Sequence, residues 1–159
     1  MSKKIIIIDN FIEDHIADLL IDYYNAGESK PAFKNCKYNN LDCGEDLPLN
    51  ELIAHVWDKQ NIEAQQLAES KVHWAQIYEW PLGTFMNLHS DVASKHTVFT
   101  SILYLNDDFE GGFTEFADGT MVAPKKGRIV FYDGIHYWHK VTPITEGTRY
   151  TFASWYRRK

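Results

Sequence analysis

Residues 136–156 read "HYWHKVTPITEGTRYTFASWY", and the fold depends on how this stretch divides into strands. His139 leads into Val141 and Pro143, Gly147 marks a turn, and Arg149 opens a run dense in aromatic and β-branched residues. Such runs suit a pleated, half-buried surface. A hairpin turning near Ile144 would set His139 and Arg149 almost opposite each other on adjacent strands, on one face. The expectation is an antiparallel β structure that presents an imidazole and a guanidinium to the same side.

Upstream, the same texture begins near Lys71. "VHWAQIYEW", "TVFTSILYL", "GGFTEF" and "RIVFYD" are short apolar or alternating runs separated by Gly, Pro, Asn and Asp, as in a sandwich or barrel of many short strands. Before Lys71 the periodicity is helical. Ile12, Ile16, Leu19, Leu20 and Tyr23 mark an amphipathic helix over about 11–25, with Asn10 and Glu13 as a capping box and Gly27 past its end. Residues 28–47 mix Pro, Asn, Asp, Gly and Lys without period and read as a loop that folds over something. Leu49, Leu52, Ile53, Val56 and Trp57 mark a second helix running to about Glu69. Helices followed by strands within one domain's length make an α+β protein, two helices packed on one face of an antiparallel double sheet.

With 159 residues, the chain has the length of a single domain. A formal net charge of −6 speaks against nucleic-acid binding, which needs Lys and Arg to displace counterions from phosphates. Arg157, Arg158 and Lys159 read as a solubilising tail. Ile5–Ile8 is too short for a signal peptide and no run reaches membrane-spanning length, so no membrane partner and a cytoplasmic location are expected. Cys36 and Cys43 fit neither a redox Cys-x-x-Cys nor a zinc site and receive no role.

"NLHSD", residues 87–91, supplies the other half of the chemistry. Two residues apart on a strand, His89 and Asp91 face the same side. A His-x-Asp pair alone is common. Joined to His139 and Arg149 across a sandwich, it makes two imidazoles and one carboxylate, the facial set that holds non-haem iron(II) with open positions. His136 competes with His139 for the third place, but three residues apart on a strand they face opposite ways.

His89-x-Asp91, His139 and Arg149 ten residues later resemble the iron(II) and 2-oxoglutarate dependent dioxygenases, in their prolyl 4-hydroxylase-like branch. "QIYEW" before the first histidine, "LYLND" followed by "GGFTEF", "KKGRIVFYDG" before the distal histidine, and Trp155 six after Arg149 are similar to segments of that family. The resemblance runs from about Trp74 to Tyr156, roughly half the chain. It implies a double-stranded β-helix (jelly-roll) core over about 71–157, supported by helices over about 1–70, in one domain.

By the same resemblance His89, Asp91 and His139 would ligate Fe(II). Arg149 would pair with the distal carboxylate of 2-oxoglutarate, and Tyr104 and Thr100 would assist it. Trp155, Tyr78 and Trp80 would wall the substrate. The implied reaction consumes O2 and 2-oxoglutarate, with ascorbate as an accessory reductant, and hydroxylates a prolyl residue of a peptide or protein with release of succinate and CO2. Three features depart from the branch, one being Thr97, beside His96, where plant and collagen types often carry an arginine. Trp80 stands where many relatives carry tyrosine, and Arg149 stands where plant and collagen types carry lysine, as in the oxygen-sensing prolyl hydroxylases. An oxygenase of a free amino acid or other small molecule, and a non-catalytic jelly-roll binding module, are the alternatives. The oligomeric state has no signature in the sequence.

Overall fold

The structure is a computed structural model, and it describes residues 5–41, 50–91 and 96–159. Along the chain run β1 (Ile6–Ile8), α1 (Asp14–Ala26), β2 (Lys30–Pro31), β3 (Lys37–Leu41), α2 (Glu51–Ala68), β4 (Ser70–Trp80) and β5 (Met86–His89). There follow β6 (Thr97–Tyr104), β7 (Glu110–Gly111), β8 (Thr114–Phe116), β9 (Met121–Val122), β10 (Ile129–Tyr132), β11 (His139–Val141), β12 (Ile144–Glu146) and β13 (Arg149–Arg158). A seven-stranded sheet has the order β1-β10-β6-β13-β4-β3-β2, and a four-stranded sheet the order β5-β11-β8-β9. β12 and β7 form a two-stranded ribbon, and the strand pairs are antiparallel throughout. This is the α+β double sheet that the sequence predicts.

Alternation gives the large sheet two different faces. Ile77, Phe99, Leu103, Phe131, Phe152 and Tyr156 point one way, into a core shared with Ala17 and Leu20 of α1 and Val56 and Ala64 of α2. Each fully buried side chain of this kind contributes roughly 1.5–3 kcal/mol. Their strand neighbours Thr100, Ile102, Tyr132, Arg149, Thr151 and Trp155 line a cleft on the other side, between the two sheets. One face therefore holds the domain together and the other is available for chemistry.

Several boundaries differ from the sequence reading. α1 begins at Asp14 with Glu13 as an N-cap whose side chain makes no cap hydrogen bond, so there is no capping box. Asn10 is instead a left-handed turn residue at φ 53°, and Phe11 and Ile12 are buried ahead of the helix, with the Phe11 amide donating to Gly127 O at 2.8 Å. Tertiary burial of two apolar residues has taken them out of the helix. α2 begins after Asn50, whose Oδ1 accepts from the Leu52 amide, and ends at Glu69 in the left-handed conformation; Leu49 and Cys43 lie outside the described residues.

The expected loop over 28–47 contains β2 and β3, while 42–47 lie outside the described residues. Pairing with β4 orders this segment, Tyr38 stacking on Tyr78 at 5.7 Å and Leu41 aligning with Ala75. Edge pairing of this kind leaves no local period to read. Arg157 and Arg158 belong to, or border, the last ladder rungs of β13 and are not a tail.

The hairpin expected around Ile144 is absent. β11 pairs with β5 and β8 in the small sheet, β12 pairs with β7, and β13 pairs with β4 and β6 in the large sheet. His139 and Arg149 therefore stand on different sheets. Pro143 has no amide to donate, and the chain uses 142–148 to cross from one sheet to the other.

Candidate active site

His139 is the Cα partner of His89 across β11 and β5, so pairing in the small sheet alone brings the two imidazoles together, with ring centroids 4.4 Å apart. Asp91 follows β5, and its amide donates to Gly134 O at 2.7 Å. Asp91 Oδ1 lies 3.7 Å from His89 Nε2 and 3.5 Å from His139 Nε2, and one donor atom from each of the three residues falls within 4.8 Å of the others. Donors about 2.1 Å from a shared ion lie about 3.0–3.5 Å apart for right-angled to tetrahedral arrangements. The two carboxylate–imidazole distances are within a few tenths of an ångström of that range, so modest side-chain movement would let the three share one ion.

The hydrogen bonds around them prepare this role. His89 Nδ1 lies 2.7 Å from Asn87 O and His139 Nδ1 lies 2.9 Å from Tyr137 O. A carbonyl only accepts, so both Nδ1 atoms carry a proton, and in a neutral ring that leaves the lone pair on Nε2. Burial also pushes the His89 pKa below the ordinary histidine value, which favours the neutral ring. Asp91 Oδ2 accepts from Thr100 Oγ1 at 2.9 Å, so Oδ1 is the atom left toward the imidazoles. Thr100 had been expected beside the cosubstrate, but its hydroxyl hydrogen is spent on the carboxylate.

Arg149 faces this group from the large sheet. It is fully buried; Nε donates to Gly112 O at 3.0 Å and Nη2 to Thr114 Oγ1 at 3.4 Å. Its guanidinium sits 4.8 Å from the Trp80 ring and 5.4 Å from the Tyr104 ring. Among the described residues it forms no ion pair. Burial lowers its pKa from the ordinary guanidinium value. A buried cation without an anion is costly, and a carboxylate delivered by a ligand would remove that cost. The site thus suits an anionic cosubstrate end.

A cleft of about 320 Å³ joins these parts, lined among others by His89, Asp91, His139 and Arg149. Its remaining wall is aromatic. Trp155 stacks on Trp74 with ring centroids 3.7 Å apart, and Tyr78 donates to Gln76 Oε1. Trp80 is packed at the Arg149 end, with Phe33 5.1 Å away, so the segment before β3 does reach over the cleft. Tyr104 OH pairs with Thr114 Oγ1 at 2.5 Å next to Arg149. His136 stays outside, 60% exposed, with Nδ1 2.6 Å from Asp133 Oδ2.

Sequence reasoning missed Thr114, Gly112, Gly134, Trp74 and Phe33. Trp74 had a signal, since it shares parity with Tyr78 and Trp80 on β4. The others come from the small sheet, a turn or the edge hairpin, and only the tertiary contact reveals them. Gly112, at φ 66°, could not carry a side chain, because a Cβ there would lie 2.9 Å from Arg149 Cδ. Cys36 is buried beside Trp80, and burial pushes its thiol up to about 12, which keeps it protonated.

The family model of the 2OG-Fe(II) oxygenase superfamily matches residues 73–157. Human prolyl 3-hydroxylase 2 is 42% identical over 65 residues, covering 36% of this chain and 9% of that protein, so the chain spans about a tenth of that relative's length. Among solved structures, the viral collagen prolyl hydroxylase of Paramecium Bursaria Chlorella virus-1 superposes with a TM-score of 0.83 at 22% identity, over 99% of this chain and 98% of the other. A Pseudomonas putida prolyl-4-hydroxylase gives 0.80 at 21% identity, over 99% and 94%. These two likenesses are of fold.

Proposed function

This chain belongs to the 2OG-Fe(II) oxygenase superfamily, and within it we propose that the protein hydroxylates prolyl residues of a peptide or protein. The observation that carries the reading is one cleft in which the His89–Asp91–His139 group, the buried Arg149, without an ion pair among the described residues, and an aromatic wall meet. His89 Nε2, His139 Nε2 and Asp91 Oδ1 would hold Fe(II), a donor set that leaves positions open for ligands. Arg149, with Tyr104 and Thr114 beside it, would bind the distal carboxylate of 2-oxoglutarate. When bound, iron with 2-oxoglutarate and O2 supplies the oxidising chemistry, whose balance is substrate C–H plus O2 plus 2-oxoglutarate to C–OH, succinate and CO2.

This chain's own residues do the rest. Thr100 and the Gly134 carbonyl aim Asp91, the Asn87 and Tyr137 carbonyls set both imidazole tautomers, and the packed rings of Trp80, Tyr104 and Tyr132 exclude water. Trp155, Trp74 and Tyr78 offer flat apolar surface suited to a pyrrolidine ring. Prolyl hydroxylases among the relatives support this substrate class.

Succinate release measured with iron, 2-oxoglutarate and a panel of proline-containing peptides tests the proposal. Peptide-stimulated release, lost in Asp91→Ala, is the expected result, and mass spectrometry of the product then distinguishes C3 from C4 of the ring. Release stimulated only by free amino acids or other small molecules would replace the peptide reading, and full activity in Asp91→Ala would remove the iron assignment.

A further inference from the structure

The face of the large sheet that carries Arg149 and Trp155 does not end at the aromatic wall. The ladder shifts register after Trp155, His73 being the extra residue on β4, and Tyr156 and Val72 turn into the helix-side core, so their strand neighbours Arg157 and Lys71, which are Cα partners, point to the opposite side. That is the side of Trp155 and Trp74. Beyond them lies a concavity of about 540 Å³ lined by Lys71, His96, Val98, Arg157, Arg158 and Lys159. Four of these six residues, Lys71, Arg157, Arg158 and Lys159, are basic, in a chain whose formal net charge is −6.

The location matters as much as the charge. Trp155 is the Cα partner of Thr100, and Thr100 holds Asp91. Arg157 follows two residues later on the same strand, about 7 Å further along. Arg149 sits at the other end of β13, so the cosubstrate end and the basic end lie on opposite sides of the metal group. An extended chain advances about 3.3 Å per residue, which puts the basic concavity about two to four residues from whatever residue is presented to the iron.

We propose that this basic concavity docks an acidic segment of the peptide or protein substrate, with Asp or Glu about two to four residues from the oxidised residue. The proposal rests on the peptide reading given above. Complementary charge of this kind steers encounter and fixes register more than it adds affinity.

Binding measured without turnover tests it separately from that reading. The full chain with 2-oxoglutarate and Ni(II) in place of iron is titrated against fluorescein-labelled proline peptides. One set carries a Glu pair on either side of the proline and a matched set carries Gln. The acidic peptides should bind about tenfold more tightly, two partly exposed charge pairs being of that order, and the advantage should shrink with salt. It should vanish in Lys71→Glu/Arg157→Glu and in the milder Lys71→Gln/Arg157→Gln, with thermal melts unchanged. Equal binding of both sets, or an advantage that survives these substitutions, overturns the proposal. So does a dT oligonucleotide bound more tightly than the acidic peptide and lost in the same variants, which would make this a nucleic-acid surface. Absence of succinate release with any peptide sinks the peptide hydroxylase reading, while the binding result still decides the docking surface.

Discussion

At position 134 a Cβ would arrive 2.5 Å from Asp91 Oδ2 and 2.7 Å from Thr100 Oγ1. Backbone conformation is not the constraint there; space is. Gly134→Ala should push the Asp91 carboxylate off the two imidazoles and weaken Ni(II) or Mn(II) binding about 10–100-fold, the size usual for disturbing a ligand's support. Calorimetric titration of the metal checks this, and an unchanged affinity would show that Asp91 tolerates the shift. His136→Ala belongs in the same experiment and should leave metal affinity unchanged, because His136 bonds Asp133 and lies outside the triad. The ligands themselves were legible in sequence by type, parity and spacing. Their supports were not, since a carbonyl or a glycine carries no chemical signature until another chain segment arrives beside it.

Among the elements, α2 is fastened to the large sheet by more than apolar contact. Gln60 is fully buried and exchanges hydrogen bonds with Ser154 of β13, Nε2 donating to Oγ at 3.1 Å and Oγ donating to Oε1 at 3.3 Å. Gln60→Ala leaves the serine hydroxyl buried without its partner and should destabilise the domain by about 1–3 kcal/mol. Urea unfolding reads this directly, and Gln60→Leu/Ser154→Ala should recover most of the loss, because removing both partners removes the unmet group. A single variant as stable as the parent would mean the pair contributes nothing. Both helices and the long strands β4, β6 and β13 follow from period in the sequence, and the four-residue β10 from the apolar run "RIVFYD". The short strands β2, β3, β7 and β9 do not, because so few residues make no period, and the partners of β5, β11 and β12 come only from pairing with neighbours. For the same reason the hairpin inferred from residues 136–156 was wrong while its consequence held. His139 and Arg149 meet across two sheets rather than along one.

For the whole molecule, that division has an energetic consequence. The metal ligands hang from the small sheet and Arg149 from the large one, so 2-oxoglutarate bound to both would join the two layers. Ligands that bind only the folded state stabilise it by about 2.7 kcal/mol at a hundred times Kd, and in a domain of this size each kcal/mol moves Tm by about 2–4 °C. Ni(II) with 2-oxoglutarate should therefore raise Tm by about 5–10 °C at such concentrations. Arg149→Ala should keep the metal's share and lose the cosubstrate's. A thermal melt in which 2-oxoglutarate still stabilises Arg149→Ala would place the carboxylate elsewhere. The sequence by itself determined which residue types are present, which strands bury an aromatic face, and that two imidazoles, an acid and a guanidinium recur at offsets compatible with one site, because alternation and spacing are local properties of the chain. Only the tertiary structure decided that the imidazoles meet by pairing of β5 with β11, that the guanidinium comes from the opposite sheet without an acidic partner among the described residues, and that a basic concavity lies beyond the aromatic wall. Those facts depend on which strands become neighbours, and that is chosen by burial and hydrogen bonding summed over the whole domain.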